Sequence, residues 1–165
     1  MTATWTITTV ESSDPTAVGA VREILGSYHD DLVAEIGETT LTAELATLPA
    51  PYLPPNGALL LARDESGRPA GCVGIKGQSG EECEIKRLYV LPSVRGSGLG
   101  RALVRAAIDQ ARVMGYAEMV LIAVRHTTDT AQRIYREFGF EVTPQFREAP
   151  LGYDPAGFLF MRRSL

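Results

Sequence analysis

Apolar and polar positions follow a strand period at the start of the chain and a helix period soon afterwards. Residues 4–10 alternate as a half-buried strand does, and Ser12 to Pro15 form a helix-start signal. The apolar residues after this signal recur at helical spacing up to Gly37: Val18, Val21, Ile24, Leu25, Leu32, Val33 and Ile36. The pattern therefore predicts a strand followed by a long amphipathic helix.

A proline-rich stretch separates this helix from a region of strand periodicity. Thr39 is placed to cap a short helix that ends at Pro49, and the four prolines of residues 49–57 predict an extended loop. Strand-like runs separated by turn signals follow at residues 58–63, 70–76 and 84–90. These runs predict a three-strand antiparallel meander.

Helices and strands alternate after Pro92. The periodicity predicts a helix over residues 99–114, a strand over 118–124 and a second helix over 129–138. The chain then closes with two strand-like runs, 140–146 and 157–163, that predict a hairpin. We see no internal repeat and no low-complexity tract.

Length and composition predict one soluble domain spanning residues 1–165. A chain of 165 residues with 45% hydrophobic and 22% charged residues has the size and composition of a single folded core. No apolar run approaches the roughly 18 residues of a membrane helix, and no signal peptide is evident, so we expect a cytoplasmic protein without a membrane partner. The net charge of −4 argues against nucleic acid as a partner.

Cysteine and histidine are too few and too scattered to predict a metal site. His29 and His126 are the two histidines, and neither lies at ligand spacing from a cysteine or from the other histidine. Cys72 and Cys83 lie in predicted neighbouring strands. A cross-strand disulfide is conceivable there, although packing as reduced, small apolar side chains is the favoured interpretation.

The most informative segment is a strand that turns through three alternate glycines into a helix, L-Y-V-L-P-S-V-R-G-S-G-L-G-R from Leu88 to Arg101. We call residues 95–101 the glycine turn. Backbone N–H groups at a helix N-terminus lack internal partners and carry positive dipole charge, and glycine allows close approach of an anion. The turn therefore predicts a pyrophosphate site, to which Arg95 and Arg101 add positive charge.

Spacing tests which phosphate ligand the glycine turn could hold. A dinucleotide fingerprint, G-x-G-x-x-G, would require glycine where this chain has Arg101, and no Walker A sequence occurs in the chain. NAD and ATP are therefore disfavoured. A glycine-rich connection that only allows tight helix packing is the structural alternative.

Two runs resemble the signatures of the GNAT acetyltransferases. E-I-K-R-L-Y-V-L-P-S-V-R-G-S-G-L-G-R-A-L resembles the family's acetyl-CoA-binding motif, R/Q-x-x-G-x-G/A after a strand, with Arg95, Gly98 and Gly100 in the pattern. A-Q-R-I-Y-R-E-F-G-F resembles the second signature, a helix with a tyrosine that ends in Gly-Phe. The resemblance implies a central, mixed and mostly antiparallel sheet of six to seven strands with about four helices, splayed between its two central strands.

The resemblance also implies acetyl-CoA as cosubstrate, without a metal. Backbone groups of Leu88, Tyr89 and Val90 would hold the pantetheine arm and polarise the thioester. The expected pyrophosphate contacts are Arg95, Gly96, Ser97, Gly98, Leu99, Gly100 and Arg101. Thr128 and Ala131 would add cofactor contacts, although relatives often have asparagine where this chain has Thr128.

Two catalytic residues are expected on the same basis. Tyr135 matches the phenol that protonates the leaving thiolate in many relatives, although its spacing with Ala131 and Phe138 also fits an ordinary core position. Glu84 matches a carboxylate that acts as general base in some relatives, and Glu81 and Glu82 compete with it for this role.

The resemblance implies an N-acetyltransferase acting by direct attack in a ternary complex. A small-molecule primary amine is the favoured acceptor. A protein lysine or N-terminus and a non-catalytic acyl-CoA-binding module are alternatives, and a homodimer is expected by resemblance alone. The acceptor would lie near the first helices and late loops, which carry Tyr28, His29, Asp30, Asp31, Tyr52 and Tyr153.

Overall fold

The fold comes from a computed structural model that describes residues 3–37, 39–125 and 129–165. Within these ranges there are seven strands: β1 (Thr6–Thr9), β2 (Gly57–Arg63), β3 (Pro69–Gly77), β4 (Glu82–Val90), β5 (Glu118–Val124), β6 (Glu141–Val142) and β7 (Phe158–Ser164). The described α-helices are α1 (Pro15–Ile36), α2 (Leu41–Thr47), α3 (Leu99–Val113) and α4 (Asp129–Glu137).

All seven strands form one sheet in the order β1-β2-β3-β4-β5-β7-β6. Neighbouring strands are antiparallel except β4 and β5, which run parallel. The parallel pair is the point where α3 crosses from one strand to the next, as a parallel connection requires. The fold expected from the sequence is confirmed.

Local signals in the sequence explain where α1 begins and ends. The Asp14 side chain accepts a hydrogen bond from the Ala17 N–H at 3.0 Å, and Pro15 occupies the first turn, where its missing N–H costs nothing. Gly37 ends the helix with φ +84°, and its N–H donates to the Val33 carbonyl. These caps set the helix bounds predicted from periodicity.

The sheet is covered by helices on both sides. α3 and α4 pack on one side, against alternate residues of the strands that include Val73, Ile75 and Ile85. α1 and α2 pack on the other side, against residues that include Leu59, Leu61 and Cys72. We call these sides the α3/α4 face and the α1/α2 face. Phe158 and Phe160 of β7 form a separate cluster with Ala149.

A bulge in β4 changes which residues point to each face. Cys72 pairs with Tyr89 and Gly74 pairs with Lys86, so two β4 residues, Arg87 and Leu88, lie opposite one residue of β3. Before the bulge, the Ile85 side chain lies on the α3/α4 face. After the bulge, the Tyr89 side chain lies on the α1/α2 face instead. A regular strand would have placed residues 85 and 89 on the same side.

The two central strands separate soon after they meet. β4 and β5 pair over three residues only, Glu82 to Glu84 with Glu118 to Val120. Beyond that point β4 continues to Val90, and β5 continues to Val124 as a partner of β7. We call the opening between the later residues of β4 and β5 the interstrand cleft. It is the splay that the resemblance implied.

Two loops differ from the sequence expectation. Within the proline-rich loop, Ala50–Tyr52 forms a 3₁₀ turn because the Tyr52 N–H donates to the Pro49 carbonyl at 2.8 Å, and the Tyr52 ring is buried. In the closing hairpin, the first strand shortens to β6. Phe146 leaves the sheet and packs edge-on against Phe160, with ring centroids 5.3 Å apart.

Cys72 and Cys83 are both unpaired and buried, so the cross-strand disulfide does not form. Burial raises the pKa of each thiol to about 12, which keeps both protonated at neutral pH. Both side chains belong to apolar clusters, Cys72 on the α1/α2 face and Cys83 on the α3/α4 face. They therefore pack as small apolar groups.

Candidate active site

The glycine turn leads directly into α3 next to the interstrand cleft. Gly96 and Gly98 have φ values of +80° and +88°, a region that strongly favours glycine. Gly98 occupies the N-cap position of α3, and among the described residues no side chain caps this helix. A Cβ at Gly100 would lie 3.0 Å from the Ile134 side chain. The first turn of α3 thus offers uncapped N–H groups, the arrangement that binds anions.

The two arginines of the glycine turn have different surroundings. The Arg95 side chain donates to the Val90 carbonyl at 3.1 Å, and its guanidinium lies 5.2 Å from the centroid of the Tyr89 ring. Arg101 instead forms a two-point pair with Glu137 of α4, at 2.7 and 2.8 Å. Arg95 therefore lies against the end of β4, 3.9 Å from the exposed Asp31 carboxylate, whereas Arg101 is held more closely by Glu137.

Ser97 adds a polar group to the same turn. Its hydroxyl oxygen is buried and has no hydrogen-bond partner within the part of the chain that the structure describes. A buried hydroxyl without a partner loses free energy relative to a solvated one. A phosphate at the uncapped α3 N-terminus would give this hydroxyl a partner.

The predicted pantetheine contacts lie on the β4 side of the interstrand cleft. Leu88 and Val90 pack against the α3/α4 face, and Tyr89 against the α1/α2 face. The backbone of these three residues follows the last β4 residue paired with β5, Glu84. On the side towards β5, this stretch of main chain therefore faces the opening, while its other side pairs with β3 through Tyr89 and Val90.

Tyr135 lies on the buried side of α4. It is 6% exposed and contacts Phe140 edge-on, with centroids 5.5 Å apart. Burial raises the pKa of its phenol above the ordinary value of 10.0, with a smaller contribution from the Tyr28 phenol. The hydroxyl is therefore protonated at neutral pH, as a general acid must be. Ala131 packs against the same cluster, and Thr128 lies outside the described residues.

Glu84 is buried at the point where β4 and β5 separate, with 5% of its surface exposed. Its Oε2 atom accepts hydrogen bonds from Gln78 Nε2 at 3.0 Å and from Arg147 Nη1. Both donors reach the same oxygen. Glu82 lies further out, 3.8 Å from both Arg147 and Arg162.

The expected acceptor residues separate into two groups. Tyr28 stacks on Tyr89 at 4.9 Å, and the Tyr89 hydroxyl donates to Asp31 at 2.6 Å, so these residues lie beside the end of β4. The Tyr153 hydroxyl donates to the Ile36 carbonyl at 3.1 Å.

The other three expected acceptor residues face elsewhere. The His29 ring contacts the Thr42 hydroxyl at 2.9 Å, and Asp30 is exposed beside it. The Tyr52 ring fills the space above Gly74, where a Cβ would approach it to 2.6 Å. Tyr52 is therefore a core residue and not part of an acceptor site. Its spacing in the sequence could not show that it faces inward.

An ion-pair network on the α1/α2 face was not anticipated from the sequence. Glu44 of α2 pairs with Arg87 at 2.8 Å through two guanidinium nitrogens, and both side chains are nearly buried. Lys86 approaches Glu44 to 3.4 Å, and the Tyr52 hydroxyl donates to it at 2.6 Å. Burial lowers the pKa of Lys86. Glu44 and Arg87 are 43 positions apart, so no local pattern in the sequence indicates that they pair.

Across residues 3–37, 39–125 and 129–165, no group of three or more His, Cys, Asp or Glu side chains could hold a metal ion. None of the helices within these ranges combines the length and the hydropathy of a membrane span.

Comparison with known proteins agrees with this geometry. The family model described as Acetyltransferase (GNAT) family matches residues 20–140. An uncharacterised N-acetyltransferase of Schizosaccharomyces pombe is 39% identical over 135 residues, covering 79% of this chain and 78% of the relative. The IAA acetyltransferase of Azospirillum brasilense is 34% identical over 157 residues, covering 94% and 95%.

Solved structures share the fold over the whole chain. The structure of yncA from Salmonella typhimurium, determined with its cofactor acetyl-CoA, superposes with a TM-score of 0.71 and 23% identity. It covers 98% of this chain and 94% of that one. This chain thus has a fold that is also seen in known proteins.

Proposed function

Because this chain belongs to the GNAT family of acetyltransferases, we propose that it transfers the acetyl group of acetyl-CoA to a primary amine of a small molecule. The amine would attack the thioester directly while both substrates are bound. Family membership supports the acetyl-CoA-dependent class, and the site geometry supports the finer assignment.

The observation that carries the proposal is the position of the glycine turn beside the interstrand cleft. The uncapped N-terminus of α3 offers N–H groups to a pyrophosphate, and β4 after Glu84 offers main chain that β5 does not pair. Pantetheine contains amide groups that can hydrogen-bond such an edge. One ligand could therefore occupy the turn and the cleft together, with its thioester where the strands separate.

Residues around the strand separation suggest how the transfer would proceed. The thioester is already activated, so the site must align the amine, stabilise the oxyanion and protonate the thiolate. Backbone N–H groups near Leu88 would serve the oxyanion, and Tyr135 would donate the proton. Glu84 would accept a proton from the ammonium, directly or through water, at its Oε1 atom. Gln78 and Arg147 both donate to the other oxygen.

Contacts across the acceptor side favour a small molecule. Tyr153 belongs to the late loop beside β7, and Ile36 ends α1 on the other half of the sheet. The hydrogen bond between them therefore spans the interstrand cleft on the α1/α2 face. Arg147 joins the same loop to Glu84 of β4. Two cross-links over the acceptor side leave less room for a folded protein substrate than for a free amine.

Thermal unfolding with added ligands tests the cofactor assignment. A ligand at 100 times its dissociation constant stabilises a protein by about 2.7 kcal/mol, which raises Tm by several degrees for a chain of this size. Acetyl-CoA and CoA should raise Tm, whereas NAD and ATP should not. A shift with NAD or ATP alone, or no shift at all, would refute the proposal.

An acceptor screen then tests the reaction. Release of CoA from acetyl-CoA should depend on one class in a panel of small amines, lysine-containing peptides and peptide N-termini. Turnover with peptides alone would replace the small-molecule acceptor with a protein acceptor. Binding of acetyl-CoA without turnover of any amine would favour the non-catalytic binding module.

A further inference from the structure

The β4 bulge is built around a residue with unusual backbone geometry. Arg87 has φ +60°, the left-handed region that non-glycine residues rarely adopt. It lies at the point where two β4 residues oppose one residue of β3. A strained residue of this kind persists only where surrounding contacts hold it in place.

The Arg87 side chain supplies those contacts. Its Nε and Nη2 atoms donate to the two carboxylate oxygens of Glu44 at 2.8 Å each, and Nη2 also donates to the Thr40 hydroxyl at 2.8 Å. A two-point pair between a guanidinium and a carboxylate fixes both distance and orientation. The helix α2 thereby holds the bulge residue from outside the sheet.

The environment strengthens this pair. The Arg87 side chain is 9% exposed and the Glu44 side chain 11%, so solvent screens their interaction little. Burial alone would raise the pKa of Glu44. The hydrogen bonds and charge of Arg87 outweigh that effect and hold the pKa at about 2. Glu44 is therefore ionised throughout the neutral range and remains paired.

The bulge determines the orientation of the main chain that follows it. Because Arg87 and Leu88 together oppose one β3 residue, Leu88 and Val90 contact the α3/α4 face and Tyr89 contacts the α1/α2 face. A one-residue change in register turns every later N–H and C=O to the opposite side. The N–H groups available to the interstrand cleft thus depend on the conformation of Arg87.

We propose that Glu44 is a positioning residue for acetyl transfer: by clamping Arg87 it holds the β4 bulge in the register that aims backbone N–H groups at the thioester oxygen. This role rests on the proposed function. In this role Glu44 would touch neither cofactor nor acceptor and would act through Arg87 and the backbone of Leu88.

The competing interpretation is that Glu44 only attaches α2 to the sheet. That role would affect Tm but not the electronic state of a bound thioester. The carbonyl stretch of acetyl-CoA labelled with carbon-13 at the thioester separates the two, since hydrogen bonds to this oxygen lower the stretching frequency. Infrared difference spectra need no acceptor amine.

The experiment compares the wild type with Glu44→Gln and Arg87→Lys. Gln removes the charge with little change of shape, and Lys keeps a positive charge but cannot donate from two points. Tyr52→Phe is the matched control, because it removes a different hydrogen bond to Glu44 and leaves the Arg87 pair intact. Arg87→Lys also provides a second test if Glu44→Gln folds poorly.

On binding, the wild type and Tyr52→Phe should shift the labelled carbonyl band to lower frequency. Glu44→Gln and Arg87→Lys should lose most of that shift while still binding acetyl-CoA. Once an acceptor is known, their kcat should fall at least about tenfold, since a displacement near 1 Å costs about 10²-fold.

Each alternative outcome has a distinct meaning. A wild type that fails to bind acetyl-CoA refutes the proposed function and this inference with it. A wild type that binds without a band shift, or variants that keep the full shift, refutes the positioning role alone. If Tyr52→Phe also lost the band shift, the effect would come from general loosening of the packing around α2. That result would also refute the positioning role of Glu44.

Discussion

Arg147 and Glu84 form an ion pair that joins the late loop to the central strand across 63 residues of sequence. The same carboxylate oxygen accepts a hydrogen bond from Gln78. Neither donor reaches Oε1, so the two oxygens of one carboxylate differ in their surroundings. This asymmetry would let Glu84 act as a base that is held in place by one oxygen and accepts a proton with the other.

Replacing Glu84 with Gln should lower kcat by about 10²-fold or more, the usual range for loss of a general base. The amide keeps an oxygen for Arg147, so the loop contact should persist in part. The dissociation constant for acetyl-CoA, measured by calorimetry, should change little, because the expected cofactor contacts lie further along the chain.

Glu82→Gln is the control for this change. Glu82 lies 3.8 Å from Arg147 and from Arg162, so its loss also removes negative charge near the loop. Its kcat should remain close to that of the wild type. An equal loss in both variants would point to loop electrostatics, and a larger loss in Glu82→Gln would make Glu82 the base.

Tyr135→Phe should reduce kcat by about 10²-fold with little effect on the affinity for CoA. Burial raises the pKa of Tyr135 above 10.0, so the wild-type hydroxyl should remain a donor across the assay range. Steady-state kinetics at several pH values would check this expectation. Tyr116→Phe is the matched control, because its hydroxyl donates to the Asn56 carbonyl at 2.7 Å beside Gly77, on the side where β4 and β5 are still paired. Equal activity of both variants would contradict the general-acid role.

Gly98→Ala should weaken CoA binding and lower Tm together. Alanine at φ +88° costs about 1–2 kcal/mol, and a shift of the backbone would disturb the N-cap of α3. Gly67→Ala places the same strain, at φ +79°, in the turn between β2 and β3. Thermal scans should show that Tm falls by a similar amount in both variants, but only Gly98→Ala should raise the dissociation constant for CoA.

The Glu44 carboxylate should make stability depend on acidity. Its pKa is about 2 in the folded protein against an ordinary value of 4.5, so its stabilising effect is complete above pH 4.5. That contribution is lost as the pH falls from 4.5 through about 2. In urea unfolding, the free energy of unfolding of the wild type should exceed that of Glu44→Gln above pH 4.5, and the difference should shrink as the pH falls through this window. Glu65→Gln removes an exposed charge, so its free energy of unfolding should differ from that of the wild type by a similar amount at every pH.

The sequence predicted the order of elements almost completely, because each has a local cause. Asp14 caps α1, Gly37 ends it, and the periodicity of α3 is strong and uninterrupted. The glycine turn was equally readable, since the positive φ of Gly96 and Gly98 is a property of the residues themselves. The geometry of the turn that we propose for the cofactor was therefore predictable from sequence.

The acceptor side was much less accessible. The contacts of Glu44 with Arg87 and of Arg147 with Glu84 depend on how distant elements pack, and a charged residue looks the same in sequence whether paired or solvated. The β4 bulge was missed for a related reason. The contacts that hold Arg87 come from the distant helix α2, although the consecutive polar residues Lys86 and Arg87 interrupt the strand alternation and are a local signal of the bulge.

The early separation of β4 from β5 also bears on how the protein avoids aggregation. A strand with unpaired backbone groups normally invites pairing with another chain. Here those groups lie between two strands of one sheet, with helices on both sides. The flanking strands and helices leave less room there for a strand of a second protein than for a thin, flexible molecule. The fold thus keeps these unpaired backbone groups inside the sheet instead of at its outer strands, β1 and β6.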